Sequence, residues 1–374
     1  MDTLKLTKTN GDTNEVTAAE YGHYIYDHYE QHDFIWSQDF MRYRRNHVTA
    51  SLAAKLKAGM DELSCALVDH MEDMYDLLPM LGHVLIQKDA VLTAEDQKRC
   101  QLWQQKAANN ELPEFYKQLP QFCQPEYVNQ YGLYDSDPQV LAYINGKDII
   151  DGGAYMGDTT LLFHEMFPLS RLYAIEPAST NIKYMQERTL APLLGQSVSQ
   201  SVSQSVSQSV SQSVSLGGVP DVSKQCAYTI HAALGEHHDR MTITKPSGHA
   251  SYSLVLNADT SPNYLKYRNE QYQPDTEEVD IIAIDDLVRE RQLHVGLIKL
   301  DVEGFEPQAM RGALHTIKTQ RPVIISAIYH TPEEYYELKP YLESLDLGYE
   351  FKLRYSGSRQ PYYEIVLIAT PKIS

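Results

Sequence analysis

Only four cysteines and two tryptophans occur in 374 residues. The cysteines, Cys65, Cys100, Cys123 and Cys226, form no CxxC pair and have no histidine partner at ligand spacing. Neither a disulfide framework nor a zinc-binding pattern is therefore expected; no metal site is assigned, and a reducing cytoplasm is the expected compartment. Basic side chains are also scarce: 32 Lys and Arg stand against 50 Asp and Glu, a net charge of −18. Such a surface repels a phosphate backbone, which argues against nucleic acid as a partner. No apolar run approaches a membrane span, and the first residues lack the basic-then-apolar order of an export signal, so a soluble intracellular protein is expected. Phenylalanine is sparse against tyrosine, 8 to 27, and phenols suit half-buried packing with a wet tip.

The chain changes grammar along its length. Leu52, Leu56, Met60, Leu63, Leu67, Met71, Met74 and Leu78 recur at spacings of three or four, which predicts one amphipathic helix over 52–78 with its methionines in the core. A second helix is predicted over 94–108. Residues 1–124 read as a helical N-terminal region to which the sequence assigns no chemistry. From Lys147 onward short β-branched runs alternate with helical segments, the sign of a mainly parallel sheet with crossover helices. Strands are predicted at 148–151, 171–176, 227–233, 296–301 and 322–329. Two more, 349–355 and 363–370, have no helical segment between them and should pair antiparallel at one edge.

Five copies of QSVS fill residues 196–215. One small apolar residue in four cannot offset much ordering entropy, so this segment reads as an insert tolerated in a surface loop.

The chemistry concentrates after strand ends. In "DIIDGGAYMGDTT", Asp151 closes a strand and Gly152, Gly153 and Gly157 turn the chain into a helix, where a cofactor can approach bare backbone. Glu176 ends the next strand, nineteen residues beyond Gly157, where a carboxylate can accept hydrogen bonds from both hydroxyls of a ribose. The glycine spacing fails the GxGxxG of a nicotinamide fold. An acid directly before the turn would repel a pyrophosphate but suit the ammonium of a methionine-type cofactor. "DGGxxxG" resembles the first motif of S-adenosylmethionine-dependent methyltransferases, with Tyr155 at the position of its middle glycine.

With "LIKLDVEGFEPQAMRGA" (297–313) beside it, the chain resembles the FkbM family of methyltransferases, in which "KxDVEGxE" follows the fourth strand. "YAIEPASTN" (173–181) resembles the second motif and "HAALGE" (231–236) the third. The resemblance runs from about Pro125 to the C-terminus. It implies a Rossmann-like α/β class I methyltransferase fold over 125–374, a seven-stranded mainly parallel sheet with an antiparallel C-terminal strand pair. It also implies S-adenosylmethionine as cofactor, held by Asp151, Gly152, Gly153, Ala154, Tyr155, Gly157, Asp158, Thr159, Glu176, Ala232, Ala233 and Asp301. Methyl transfer most often goes to oxygen, so the expected partner is a sugar, glycan or small-molecule hydroxyl acceptor.

A hydroxyl is a poor nucleophile until a base takes its proton. Asp301 and Glu303 are the leading candidates and His330 the next. Each has a competing reading: Asp301 holds the methionine ammonium, Glu303 pairs with Lys299 or Arg311, and His330 caps the following helix. Two carboxylates two apart lack a third metal ligand at useful spacing. Two other functions compete: a catalytically silent cofactor-binding module acting through the N-terminal helices, favoured by Tyr155, and a nicotinamide-dependent reductase, disfavoured by the glycine spacing.

Overall fold

A computed structural model describes residues 3–7, 13–17, 29–32, 37–81, 84–87, 94–118, 123–194, 226–245, 253–254, 275–357 and 364–373. The QSVS repeat lies outside the described residues.

Seven strands carry the site: β1 (Asp148–Gly152), β2 (Leu172–Glu176), β3 (Ala227–His231), β4 (Val295–Leu300), β5 (Val323–Ala327), β6 (Tyr349–Tyr355) and β7 (Ile365–Pro371). Their order across the sheet is β6-β7-β5-β4-β1-β2-β3. The pairs from β5 through β3 are parallel, while β7 pairs antiparallel with both β5 and β6. β1, β2, β4 and β5 are buried along their whole length. Their apolar runs are unbroken because side chains of alternate parity meet a different layer on each face. Ile150, Ile298 and Ile324 enter one core cluster, Ile149, Leu297 and Ile325 the other.

The N-terminal helices belong to the first of these cores. Helices α1 (Ser37–Asn46), α2 (Thr49–Lys57) and α3 (Glu62–Leu81) bury Phe40, Leu56, Met71 and Tyr75 against Tyr335, Leu353 and Tyr355. Arg354 of β6 fastens the junction, its Nη2 lying 2.7 Å from Asp61 Oδ2 and 2.5 Å from Asp135 Oδ2. α4 (Ala94–Ala108) has the bounds predicted for it.

Three expectations need correction. The helix expected over 52–78 is two helices. Gly59 takes a left-handed φ of 74°, and Asp61 then accepts from the Ser64 amide at 2.9 Å, satisfying a free donor at the start of α3. The apolar spacing runs through the break because both helices face the same core. The strand expected over 227–233 stops at His231; Ala233–Leu234 joins a separate four-stranded sheet with Asp239–Lys245, Ser253–Leu254 and Asp275–Ile282. The N-terminal region also holds strands, Thr3–Thr7 with Thr13–Thr17 and Tyr29–His32 with Val84–Gln87.

Candidate cofactor and acceptor site

β1 and β4 end side by side, and their ends shape the glycine turn. The Asp301 amide donates to Gly152 O at 3.0 Å. A Cβ at Gly153, where φ is +70°, would stand 1.7 Å from the Asp301 carbonyl oxygen, so only glycine fits between the strands. Tyr155 adopts φ +47°, the left-handed conformation natural to glycine, at a cost of about 1–2 kcal/mol. Tyr155 N donates to Glu176 Oε2 at 3.0 Å. Gly157, φ +83°, leads into helix α5 (Asp158–Met166), whose first residues Asp158 and Thr159 are buried.

Asp151 is wholly enclosed. Lys299 lies beside it in register on β4, with Nζ 3.0 Å from Oδ1, while Thr160 Oγ1 donates to Oδ2 at 2.5 Å. Lys299 Nζ also donates to Gly153 O at 2.8 Å and Gly152 O at 3.3 Å. Burial works against its charge, but Asp151 and Asp301 hold its pKa above the ordinary lysine value. Asp151 thus fixes the turn through Lys299, and Lys299, expected only as a partner for Glu303, is the cation of this site.

Glu176 accepts from Ala178 N at 2.9 Å, Asn181 Nδ2 at 3.2 Å and Tyr155 N. Burial pushes its pKa up to about 7, against the pull of these donors. A carboxylate offers about four acceptor positions, so room remains for a hydroxyl. The buried acid at the strand end and the turn of bare backbone fit a nucleoside cofactor. Ala232 and Ala233, buried just past β3, lie next to it in the fold, Ala232 N donating to Glu176 O at 3.3 Å.

Asp301, Glu303 and His330 come together. The Asp301 side chain is 20% exposed and its Oδ2 accepts from Tyr131 Oη at 2.7 Å; Tyr329 Oη lies 3.4 Å from both oxygens. His330, 1% exposed, has Nε2 at 3.4 Å from Asp301 and 3.8 Å from Glu303, and Nδ1 at 3.4 Å from Glu306 and 3.5 Å from Glu334. Burial disfavours the imidazolium, yet Glu306 foremost and its neighbours raise the pKa well above the usual histidine range. Glu306 is driven the other way. Burial opposes its charge, but His330 and the amides of Val302 (2.6 Å) and Gly304 (3.0 Å) bring it down to about 2. The cap of the next helix, α6 (Pro332–Ser344), is Thr331, which forms a capping box with Glu334. Arg311 pairs with Glu236 at 2.7 Å, and Glu303 faces His330.

A second acidic group lies beside the turn. Cys123 and Glu126, from the helix Cys123–Val128, meet Asp158, and all three are buried. Burial, then the charge of Glu364, pushes Glu126 well above the ordinary carboxylate range. Burial lifts Asp158 to about 6, with Lys299 opposing, and burial followed by Asp301 lifts Glu364 to about 8.

Comparison with known proteins decides the family: the methyltransferase FkbM domain model matches residues 151–351, more than half of the chain. The chain belongs to the FkbM methyltransferase family. Such a domain draws its methyl group from S-adenosylmethionine. A crystal structure of an FkbM methyltransferase from Methylobacillus flagellatus is 16% identical with a TM-score of 0.47, over 89% of this chain and 60% of that one. This chain thus spans 60% of that relative's length. An O-methyltransferase from Bacillus cereus, solved in complex with SAH, is 12% identical with a TM-score of 0.33, over 80% of this chain and 97% of that one. No curated protein matches significantly.

In this FkbM domain the turn, Glu176 and the end of β4 lie at one sheet edge, where the structure adds Tyr131, Tyr329, Glu306 and Glu334, which had no role assigned from the sequence. Glu306 and Glu334 carried a signal, since each stands where a helix begins, in "EGFEP" and "TPEE". Tyr131 carried none. It reaches Asp301 from a bend in which Gln130, Tyr131 and Gly132 all have positive φ, a conformation no spacing rule foretells.

Proposed function

We propose that this protein methylates a hydroxyl of a sugar, glycan or small molecule, with Asp301 as the base. The observation that carries the reading is the Asp301 carboxylate: partly exposed at the end of β4, beside the glycine turn, and fixed by Tyr131 and His330. S-adenosylmethionine, when bound, supplies an electrophilic methyl group; Glu176, the turn from Gly153 to Gly157, and the buried Thr159, Ala232 and Ala233 would hold it. Asp301 takes the hydroxyl proton as the acceptor oxygen becomes nucleophilic. Glu303, 29% exposed at the same edge, accepts from a second hydroxyl and orients the acceptor. His330 is buried and held as a cation, so it keeps the two carboxylates in place rather than taking a proton. Its positive charge also offsets the cost of gathering acids here.

The test uses labelled S-adenosylmethionine and a panel of sugars, alcohols and amines. Label should enter hydroxyl compounds. Asp301→Asn should lower turnover by about 10²- to 10⁴-fold, the range for a lost general base, while calorimetry finds S-adenosylhomocysteine binding unchanged. Wild-type turnover in Asp301→Asn, or label entering amines alone, refutes the reading. Glu176→Ala should weaken product binding by about 1.5–3 kcal/mol.

A further inference from the structure

We propose that Cys123, Glu126 and Asp158 bind one divalent metal ion of the zinc type, at a site separate from the methyl-transfer carboxylates. Cys123 and Glu126 are three apart on one short helix and so share a face. Asp158 opens α5 immediately after Gly157. One ligand atom from each residue lies within 4.8 Å of the others, and exposures are 1%, 9% and 5%. Asp158 Oδ1 is closed off from solvent and takes no hydrogen bond from any described residue. No described Lys, Arg or His lies within ion-pair distance of Glu126 or Asp158; Lys299 acts on both from farther off, and the Cys123 thiol bonds to the Asp158 carboxylate.

Two carboxylates and a thiol gathered out of water, with only the more distant Lys299 to offset them, are costly when ionised. A bound dication reverses that cost. The donor set selects its class: a thiolate excludes hard, oxygen-seeking Mg²⁺ and Ca²⁺, whereas zinc accepts sulfur at about 2.3 Å and carboxylate oxygen at about 2.0–2.2 Å. Tetrahedral bonds of those lengths put neighbouring ligand atoms roughly 3.5 Å apart, a spacing inside that limit which side-chain torsions can reach. Three protein ligands leave one position for water. The ion would tie the helix Cys123–Val128 to the residue that follows the cofactor turn, bracing the turn from behind. The second group with ligand chemistry, Asp301, Glu306 and His330, is already balanced. Both Glu306 oxygens take backbone amides and His330 supplies the cation.

The test starts from full-length protein stripped with a chelator. Zinc added back and passed through gel filtration should remain at one equivalent by elemental analysis. Cobalt in its place should give a thiolate-to-metal charge-transfer band. Cys123→Ser should abolish that band and weaken zinc binding by at least about tenfold, since even loss of an outer-shell partner costs 10- to 100-fold. Asp301→Asn should leave both unchanged. Substoichiometric zinc, a band that survives Cys123→Ser, or zinc lost on Asp301→Asn but kept in Cys123→Ser would overturn the proposal. Should Cys123→Ser fail to fold, melting decides: zinc should raise Tm of the stripped wild type but not of Glu126→Gln, and a wild-type Tm that zinc does not move overturns the site equally.

Discussion

Two buried acidic groups flank the end of the central sheet, and they handle charge in opposite ways. Around His330, four acids face one imidazolium, and the fully buried Glu306 is further held by two backbone amides, so its pKa falls to about 2. Around Cys123, the acids form no ion pair among the described residues and feel Lys299 only from a distance, and burial drives Asp158 up to about 6 and nearby Glu364 to about 8. Burial, then the charge of Glu306, holds Glu334 well above the ordinary carboxylate range, so the first group is balanced by one imidazolium and one retained proton, whereas the second is complete only with protons or a bound cation. Similar composition therefore gives different chemistry, depending on whether a neighbouring strand or helix delivers the compensating charge.

That contrast predicts opposite signs for removing a charge. The largest effect should come from His330→Ala, which leaves Asp301, Glu303 and Glu306 without their shared cation and should cost about 3–5 kcal/mol. Urea unfolding measures it, and a loss below about 1 kcal/mol would mean the carboxylates are held by something other than His330. Next is Tyr131→Phe, which keeps the ring packing but removes the donor to Asp301. A hydrogen bond to a charged group is worth about 1.5–3 kcal/mol, to be read as lost stability together with reduced turnover. No change in either would place the phenol outside the network.

The smallest effect has the reverse sign. Glu364, raised to about 8 from an ordinary value of 4.5, favours folding while protonated. Its contribution is full below pH 4.5 and is lost as pH climbs through 8. Asp158 and Glu176, raised to about 6 and 7, act in the same direction. Chelator-treated protein should therefore melt at a lower temperature at pH 8 than at pH 6. Glu306, being depressed, adds its own loss only below about pH 4.5. Glu364→Gln should raise Tm at pH 8 by a few degrees, about what 1 kcal/mol yields in a domain of this size, and should do little at pH 5. Scanning calorimetry at the two pH values checks both statements; a lower Tm for Glu364→Gln at pH 8 would show that the acid already has a cation there.

The sequence by itself determined the sheet and the edge at which its motifs meet. Unbroken apolar runs can be buried only between two layers, and the missing helix between β6 and β7 forces them to pair antiparallel. The glycines after β1 and the acids ending β2 and β4 then mark the sheet edge where the motifs meet. Its local signals failed where a distant residue settles the outcome. The apolar spacing of 52–78 could not show that Gly59 and Asp61 break the helix, because both halves bury against the same core. Spacing along the chain indicated no metal site, and Cys123, Glu126 and Asp158 converge only because Gly157 aims the start of α5 at a helix thirty residues earlier in sequence. Only the tertiary structure decided that Lys299 neutralises Asp151, that Tyr131 reaches Asp301, and that one histidine has four acidic neighbours. Charge compensation acts across a few ångströms of space, and the order of residues along the chain leaves those distances open.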